Sequence, residues 1–236
     1  VLIDDKTCLS ALKQKGMILE KLRKYEKVKE NYENIMACVR KTKSDDWSTQ
    51  EYHNMCFVLR RLGKYTEFLD VFEEVYYKNL VDLYLLNEYG TVLRRLKERY
   101  QALNVYEEVI EVNSNNYGAW INKALIQRGL LQSKESEKSF KKAKEILLSI
   151  IELNKNHSAA NYHMGLIQYD YQNYIDAIYY FDKAMRNKIY YEDAAINKGL
   201  SLFSLKKYDE AIDLFNRILD TKNSSNEARS EEHTSE

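Results

Sequence analysis

The chain has 236 residues, 31% of them charged and 44% hydrophobic, and its 36 Lys and Arg balance 36 Asp and Glu. That neutrality excludes a global electrostatic pull toward nucleic acid or an anionic membrane, and no apolar run reaches the ~20 residues of a bilayer-spanning helix. Three cysteines, Cys8, Cys38 and Cys56, are odd in number and lack metal-ligand spacing, so a reducing compartment is expected and the location is read as cytoplasmic.

In chain order, Val1 to Cys8 reads as the end of a second helix from a preceding unit, and both termini read as cut. From Leu9 the sequence repeats every 34 residues in units 9–42, 49–82, 83–116, 117–157, 158–191 and 192–225. A fixed period of this size is the signature of stacked helix pairs. It is clearest where Gly165, Tyr174, Ala177, Ile178 and Phe181 recur as Gly199, Tyr208, Ala211, Ile212 and Phe215. The eighth position is Gly16, Cys56, Gly90, Ala124, Gly165 and Gly199, small enough for two helices to cross closely. Twelve residues on stand Val28, Phe68, Ala102, Ala143, Ala177 and Ala211. One turn further, Tyr32, Phe72, Tyr106, Leu147, Phe181 and Phe215 are expected to fill the space between neighbouring pairs.

Lys43 to Ser48 interrupts the phase after the first unit. There Ser48 and Glu51 form a capping box, with Trp47 placed as a staple on Tyr52. The fourth unit carries seven extra residues: Ala124 lies 41 before Gly165, whereas Phe140, Ala143 and Leu147 keep the 34-residue distance to Tyr174, Ala177 and Phe181. This spacing predicts the extra length between the two helices of that unit, with the polar segment Gln132–Lys138 projecting into solvent. The chain has no proline, so its turns are expected to rest on Asn113, Asn115, Asn116, Asn154, Asn156 and Asn223, through left-handed backbone and helix caps. Residues 226–236 read as a disordered tail. Within it, Arg229 to Glu236 matches the in-frame translation of a common sequencing-library adapter and is set aside as an assembly artefact.

These residues resemble the tetratricopeptide repeat, over about nine-tenths of the chain. The family pattern has an aromatic or Leu at position 4, Gly or Ala at 8, an aromatic at 17, Ala at 20, a bulky residue at 24 and Ala at 27. Position 4 here is Leu12, Tyr52, Leu86 and Trp120, then departs to Asn161 and Ala195, and position 27 is mostly Ile or Val. The resemblance implies an all-α, right-handed superhelical solenoid of about six antiparallel helix pairs.

Catalytic constellations are missing from the sequence. His53, His157 and His163 form no metal motif, and there is no phosphate-cradling loop or nucleophile elbow. Cys56 sits at a helix-crossing site, where packing explains it. No enzyme activity, metal or cofactor is expected. The resemblance implies instead a concave groove lined by the first helix of each pair. Carried over residue by residue, its early half holds Arg60, Arg61, Arg94, Arg95, Arg128 and Lys21. Its late half holds Tyr162, Leu166, Tyr169, Ile196, Leu200 and Phe203, and Asn54, Asn122, His163 and Asn197 occupy one polar position along it. Such a groove is expected to bind a protein or peptide ligand that is acidic, then apolar. Solvated helix ends for the arginines and internal packing for the apolar set are the competing readings. A docking segment of a larger transferase or kinase, and helical-repeat RNA binding, remain as alternatives; nucleic acid and membrane are not the expected partners. The Lys-Asn, Asn, Lys-Arg clamp that grips chaperone tails is not supplied by any three consecutive units. Oligomeric state is left open.

Overall fold

The computed structural model describes residues 49–188 and 190–220, together with seven helical positions before them: Leu12, Lys15, Lys27, Glu30, Asn31, Asn34 and Ile35. Trp47, Ser48, the Glu51 side chain, Asn223, the rest of the 9–42 unit and Arg229 to Glu236 lie outside the described residues. The described residues form ten helices and no strand. These are α1 (Thr49–Leu62), α2 (Tyr65–Tyr77), α3 (Leu83–Arg95), α4 (Arg99–Val112), α5 (Tyr117–Gly129), α6 (Ser133–Leu153), α7 (Ser158–Asp170), α8 (Tyr174–Ala184), α9 (Tyr191–Ser204) and α10, helical over 208–220. By packing the chain divides into two compact units, Val1–Ser139 and Phe140–Glu236, with the division inside α6.

Each odd-numbered helix ends in the same way. Gly63, Lys97, Leu131, Gln172 and Lys206 have φ of 72°, 67°, 62°, 61° and 61°. The N–H of the following residue then donates to the carbonyl five residues back, at 2.9 Å in Lys64–Leu59, Glu98–Leu93, Gln132–Gln127, Asn173–Gln168 and Lys207–Leu202. This is the Schellman termination, which satisfies the last carbonyls of one helix and turns the chain back for its partner. The asparagines serve elsewhere, and Asn79, with φ 54°, is the only left-handed asparagine among the described residues. Asn113 Oδ1 accepts from Asn115 N at 3.1 Å, Asn154 Oδ1 accepts from Asn156 N at 3.1 Å, and Asn116 caps α5 by accepting from Ala119 N at 3.0 Å. The turns before α5 and α7 are therefore built from asparagine side chains, whereas the turn before α3 uses the backbone of left-handed Asn79, with Leu80 N donating to Val75 O at 3.1 Å, and those within pairs are built from backbone. The expectation of left-handed asparagines at these positions is corrected accordingly.

Small residues at the eighth position act through a specific partner. A Cβ on Gly90 would stand 2.9 Å from Tyr106 Cζ, one on Gly165 2.6 Å from Phe181 Cε1, and one on Gly199 2.5 Å from Phe215 Cζ. The ring of the bulky residue sixteen positions on thus packs directly against the glycine of its own pair. It was expected between neighbouring pairs, and Phe72 does reach that far, stacking on Tyr89 of the next pair at 4.0 Å. Cys56 is fully buried at the same crossing, and burial pushes its thiol up to about 12, consistent with a packing group.

The extra seven residues are not where the spacing predicts. Ser136 is buried and its hydroxyl donates to Ala124 O at 2.8 Å, while buried Ser139 donates to Gln127 Oε1 at 2.7 Å. Both contacts span twelve residues, the separation of Gly90 from Ala102. Ser136, not Ala143, therefore takes the small-residue place of its pair, and the turn between α5 and α6 has the ordinary length. The added residues lengthen the far end of α6, which has 21 residues against 14 in α4. Seven residues are nearly two turns, so Phe140, Ala143 and Leu147 stay on one face under either alignment and the spacing alone does not separate them.

In the first unit, the core gathers Tyr52, Cys56, Leu59, Phe68, Phe72, Leu85 and Val92, followed by a cluster around Leu93, Ala102, Tyr106, Ala119 and Ile126. Tyr52 is fully buried, yet its hydroxyl reaches Glu74 Oε1 at 2.7 Å, which removes the cost of burying a phenol. In the second unit, Ala177, Phe181, Ala184 and Ala194 form one cluster and Ala195, Leu202, Ala211, Leu214 and Ile218 another. Asn161, at the place where the pattern asks for an aromatic, is buried and donates to Lys155 O at 3.2 Å and His157 O at 2.9 Å. It ties down a turn where a ring elsewhere fills space.

Candidate functional site

The first helix of each pair carries the side chains expected to meet a ligand, and the two compact units place them differently. In the first unit the arginines are not equivalent. Arg60, on α1, donates through Nε to Glu88 Oε2 on α3, an ion pair whose side chains are 23% and 15% exposed. Its guanidinium also lies 5.8 Å from the Phe57 ring centroid, and that of Arg61 lies 5.3 Å from the same ring. Arg94 is half-buried, its side chain beside the Tyr106 hydroxyl and its Nε enclosed without a hydrogen-bond partner. Arg61, Arg95 and Arg128 stand at the surface.

Two polar members of the row, Asn54 and Asn197, are turned onto their own helices. Asn54 donates to the Gln50 carbonyl, and Asn122 is half-buried. A second contact joins α1 to the start of α3. His53 Nε2 lies 2.8 Å from Asp82 Oδ2, while the other oxygen of Asp82 caps α3 by accepting from Leu85 N at 3.0 Å. Tyr84 packs on His53 with ring centroids 4.8 Å apart. Glu88 and Asp82 were not picked out from the sequence. Glu88 holds in its unit the position that is Asn54, Asn122 and Asn197 elsewhere, so a carboxylate in that row opposite an arginine was the available signal.

In the second unit, Tyr162 of α7 is the joint between α7 and α9. Its ring stands 6.1 Å from Phe181 and 5.4 Å from Tyr190, and Asn197 Nδ2 reaches its hydroxyl at 3.5 Å while bonding Asp193 O at 2.7 Å. Burial raises the Tyr162 phenol above its ordinary pKa, helped by nearby Asp193. His163 is half-buried beside that ring, and burial holds its imidazole below its usual pKa. Tyr169 packs edge-on to Tyr174 at 5.4 Å and is half-buried. Phe203 differs: it is 60% exposed, and with Ile196 at 37% and Leu200 at 41% it forms an apolar ridge along α9 at spacings of four and three residues. Tyr162 and Asn197 are thus brought into contact, and Phe203 stands on the open ridge.

Among the described residues no group of three or more His, Cys, Asp or Glu could hold a metal ion, and no helix is long and apolar enough to cross a membrane.

The family model described as tetratricopeptide repeat matches residues 190–227. No curated protein matches the chain. Among solved structures, a tetratricopeptide repeat protein from Parabacteroides merdae ATCC 43184 is 16% identical, with 90% of this chain and 79% of that one covered at a TM-score of 0.55. A thermophilic TPR protein from Thermus thermophilus is 17% identical over 73% of this chain and 91% of its own, at a TM-score of 0.59. BtubC (BKLC) from P. vanneervenii is 11% identical over 94% and 92%, at 0.54. At these identities the likeness is one of fold.

Proposed function

We propose that the chain is an array of tetratricopeptide repeats, the family whose model matches residues 190–227, and that it is a non-catalytic scaffold for protein partners, which it holds along its first helices. The observation that carries this reading is the α9 ridge of Ile196, Leu200 and Phe203, left open on a helix whose other face is fully packed. Leaving large apolar side chains in water has no folding benefit, and ridges of this kind supply the anchors of peptide and helix recognition. The polar contribution comes from surface guanidinium groups of the first unit, Arg61, Arg95 and Arg128, which match ligand carboxylates. Arg60 contributes less, because Glu88 already occupies its Nε.

A peptide array probed in moderate salt tests this. Peptides with an acidic segment followed by an apolar one are expected to bind. Leu200→Asp with Phe203→Asp should weaken them at least ~10-fold, as expected when a buried anchor is lost, and Arg61→Glu with Arg95→Glu should remove the preference for acidic segments. Binding that ignores both pairs of changes would refute the groove.

A further inference from the structure

The zero net charge of the chain conceals a division between its helices. In the first compact unit, α1, α3 and α5 carry six Lys and Arg against two acids, whereas α2 and α4 carry seven acids against Arg99 alone. Three of the seven are neutralised nearby: Glu67 by Lys64 at 3.2 Å, Glu74 by Lys78 at 3.1 Å and Glu107 by Lys123 at 2.8 Å. Asp70, Glu73, Glu108 and Glu111 are exposed and make no ion pair among the described residues. Their placement runs against the helix dipole, which favours cations at a C-terminal end. There α1, α3 and α5 carry Arg60 and Arg61, Arg94 and Arg95, and Arg128, but α2 and α4 have no cation in the last turn. The same ends expose apolar groups. Tyr76 and Tyr77 are 65% and 76% exposed, their ring centroids 6.3 Å apart at 77°, and Val112, the last residue of α4, is 66% exposed. At the two tyrosine positions α4 has Ile110 and Glu111 and α8 has Met185 and Arg186, so the ring pair is particular to α2. Both helices pack on α3, Phe72 against Tyr89 and Tyr106 against Gly90, and both run against it, so their last turns reach one edge of the unit.

We propose that this edge, away from the first-helix groove, docks a cationic segment of a protein partner, its Lys and Arg side chains over Tyr76 and Tyr77 and paired with Glu73, Glu108 and Glu111. Rings and carboxylates together recognise such side chains twice, through the ring face and through charge-assisted hydrogen bonds. Carboxylates set at negative helix ends oppose folding and are useful only when a cation arrives, and their potential would draw that cation in. A second copy of the chain supplies less. Its Arg60 is taken by Glu88, and its surface arginines Arg61, Arg95 and Arg128 are carried one to a helix. Nucleic acid and anionic lipid are repelled by the same carboxylates.

The test is fluorescence anisotropy on the full chain in moderate salt, with a labelled helical peptide of arginine, leucine and alanine as the probe. The peptide is expected to bind. Glu73→Lys with Glu111→Lys, and separately Tyr76→Ser with Tyr77→Ser, should each weaken it ~10-fold or more, the loss that follows removal of an anchor. Asp209→Lys with Asp213→Lys reverses as much charge on exposed positions of α10 and should leave binding unchanged. Glu73→Lys with Glu111→Lys should also raise the urea midpoint, since cations suit helix C-terminal ends. The proposal is overturned if the peptide does not bind, or if either pair of changes on α2 and α4 leaves binding intact. It is overturned too if the α10 changes weaken binding equally, which would reduce it to general attraction, or if the urea midpoint falls, which would place the carboxylates in folding. Self-association of the chain that disappears with the same changes would overturn it as well, by making the occupant a second copy.

Discussion

Gly165→Ala tests how the helix pairs are held. The new Cβ would stand 2.6 Å from Phe181 Cε1 and 2.7 Å from Cδ1, and Phe181 is fully buried. Ordinary carbon contacts lie at ~3.5–4.0 Å, so the ring or the helix must move by about 1 Å. Overpacking of this size costs ~1–3 kcal/mol, against a gain of ~0.5–1 kcal/mol from replacing glycine inside a helix. The expected result is a net loss centred on ~1 kcal/mol and reaching at most ~2.5 kcal/mol, or a fall in urea midpoint of about 0.5 M at an m-value of about 2 kcal/mol/M. Gly129→Ala is the control, since its Cβ meets nothing closer than Arg99 Cζ at 3.6 Å, and it should match or exceed the parent. Adding Phe181→Leu to Gly165→Ala should cost less than the sum of the two single changes, because the smaller side chain vacates the clashing volume. A Gly165→Ala midpoint at or above that of the parent, or an equal fall for Gly129→Ala, would show that the ring does not seat on the glycine.

Three further outcomes are expected. Leu131→Gly removes a side chain that is 89% exposed from a residue at φ 62°, and should raise stability by ~0.5–1 kcal/mol in urea unfolding; a loss would mean that Leu131 packs in a way its exposure does not show. A double-mutant cycle on Arg60→Ala and Glu88→Ala should return a coupling of about 1 kcal/mol, and zero coupling would reduce the pair to a surface accident. His163 titrates below its usual value because of burial, so the unfolded chain binds its proton more readily. The stability it contributes is present above the ordinary histidine pKa of about 6.5 and is lost as pH falls below that value toward the lowered one of the folded state. His163→Gln should therefore flatten the drop in urea midpoint between about pH 7.5 and 5.5, and an unchanged drop would assign it to other groups.

The sequence made the positions of the small and bulky residues legible because each recurs at one spacing, but it assigned Phe181 and Phe215 to the space between pairs, whereas they seat on Gly165 and Gly199 of their own pairs. It misplaced the extra seven residues of the fourth unit because a near-integral number of helical turns leaves Ala143 and Leu147 on the face they would occupy either way. The hydroxyl contacts of Ser136 and Ser139 and the ordinary turn at Leu131 distinguish the two alignments, and serine carries no periodic signal of its own. Arg60 was legible as a surface cation but not as a paired one, since its carboxylate lies 28 residues on, in another helix. The open α9 ridge was visible as a list of apolar residues; which of them stay uncovered depends on neighbours that periodicity cannot rank.

The five turns within pairs have a consequence for how such a chain can vary. Gly63, Lys97, Leu131, Gln172 and Lys206 share one backbone shape although their side chains have almost nothing in common. The turn is held by main-chain hydrogen bonds, so the residue at its apex can vary at the modest cost of a left-handed backbone. A recombination joint placed there exchanges whole helices without disturbing the turn that brings the next one back, which makes these five sites the natural seams for building chimaeras from its repeats.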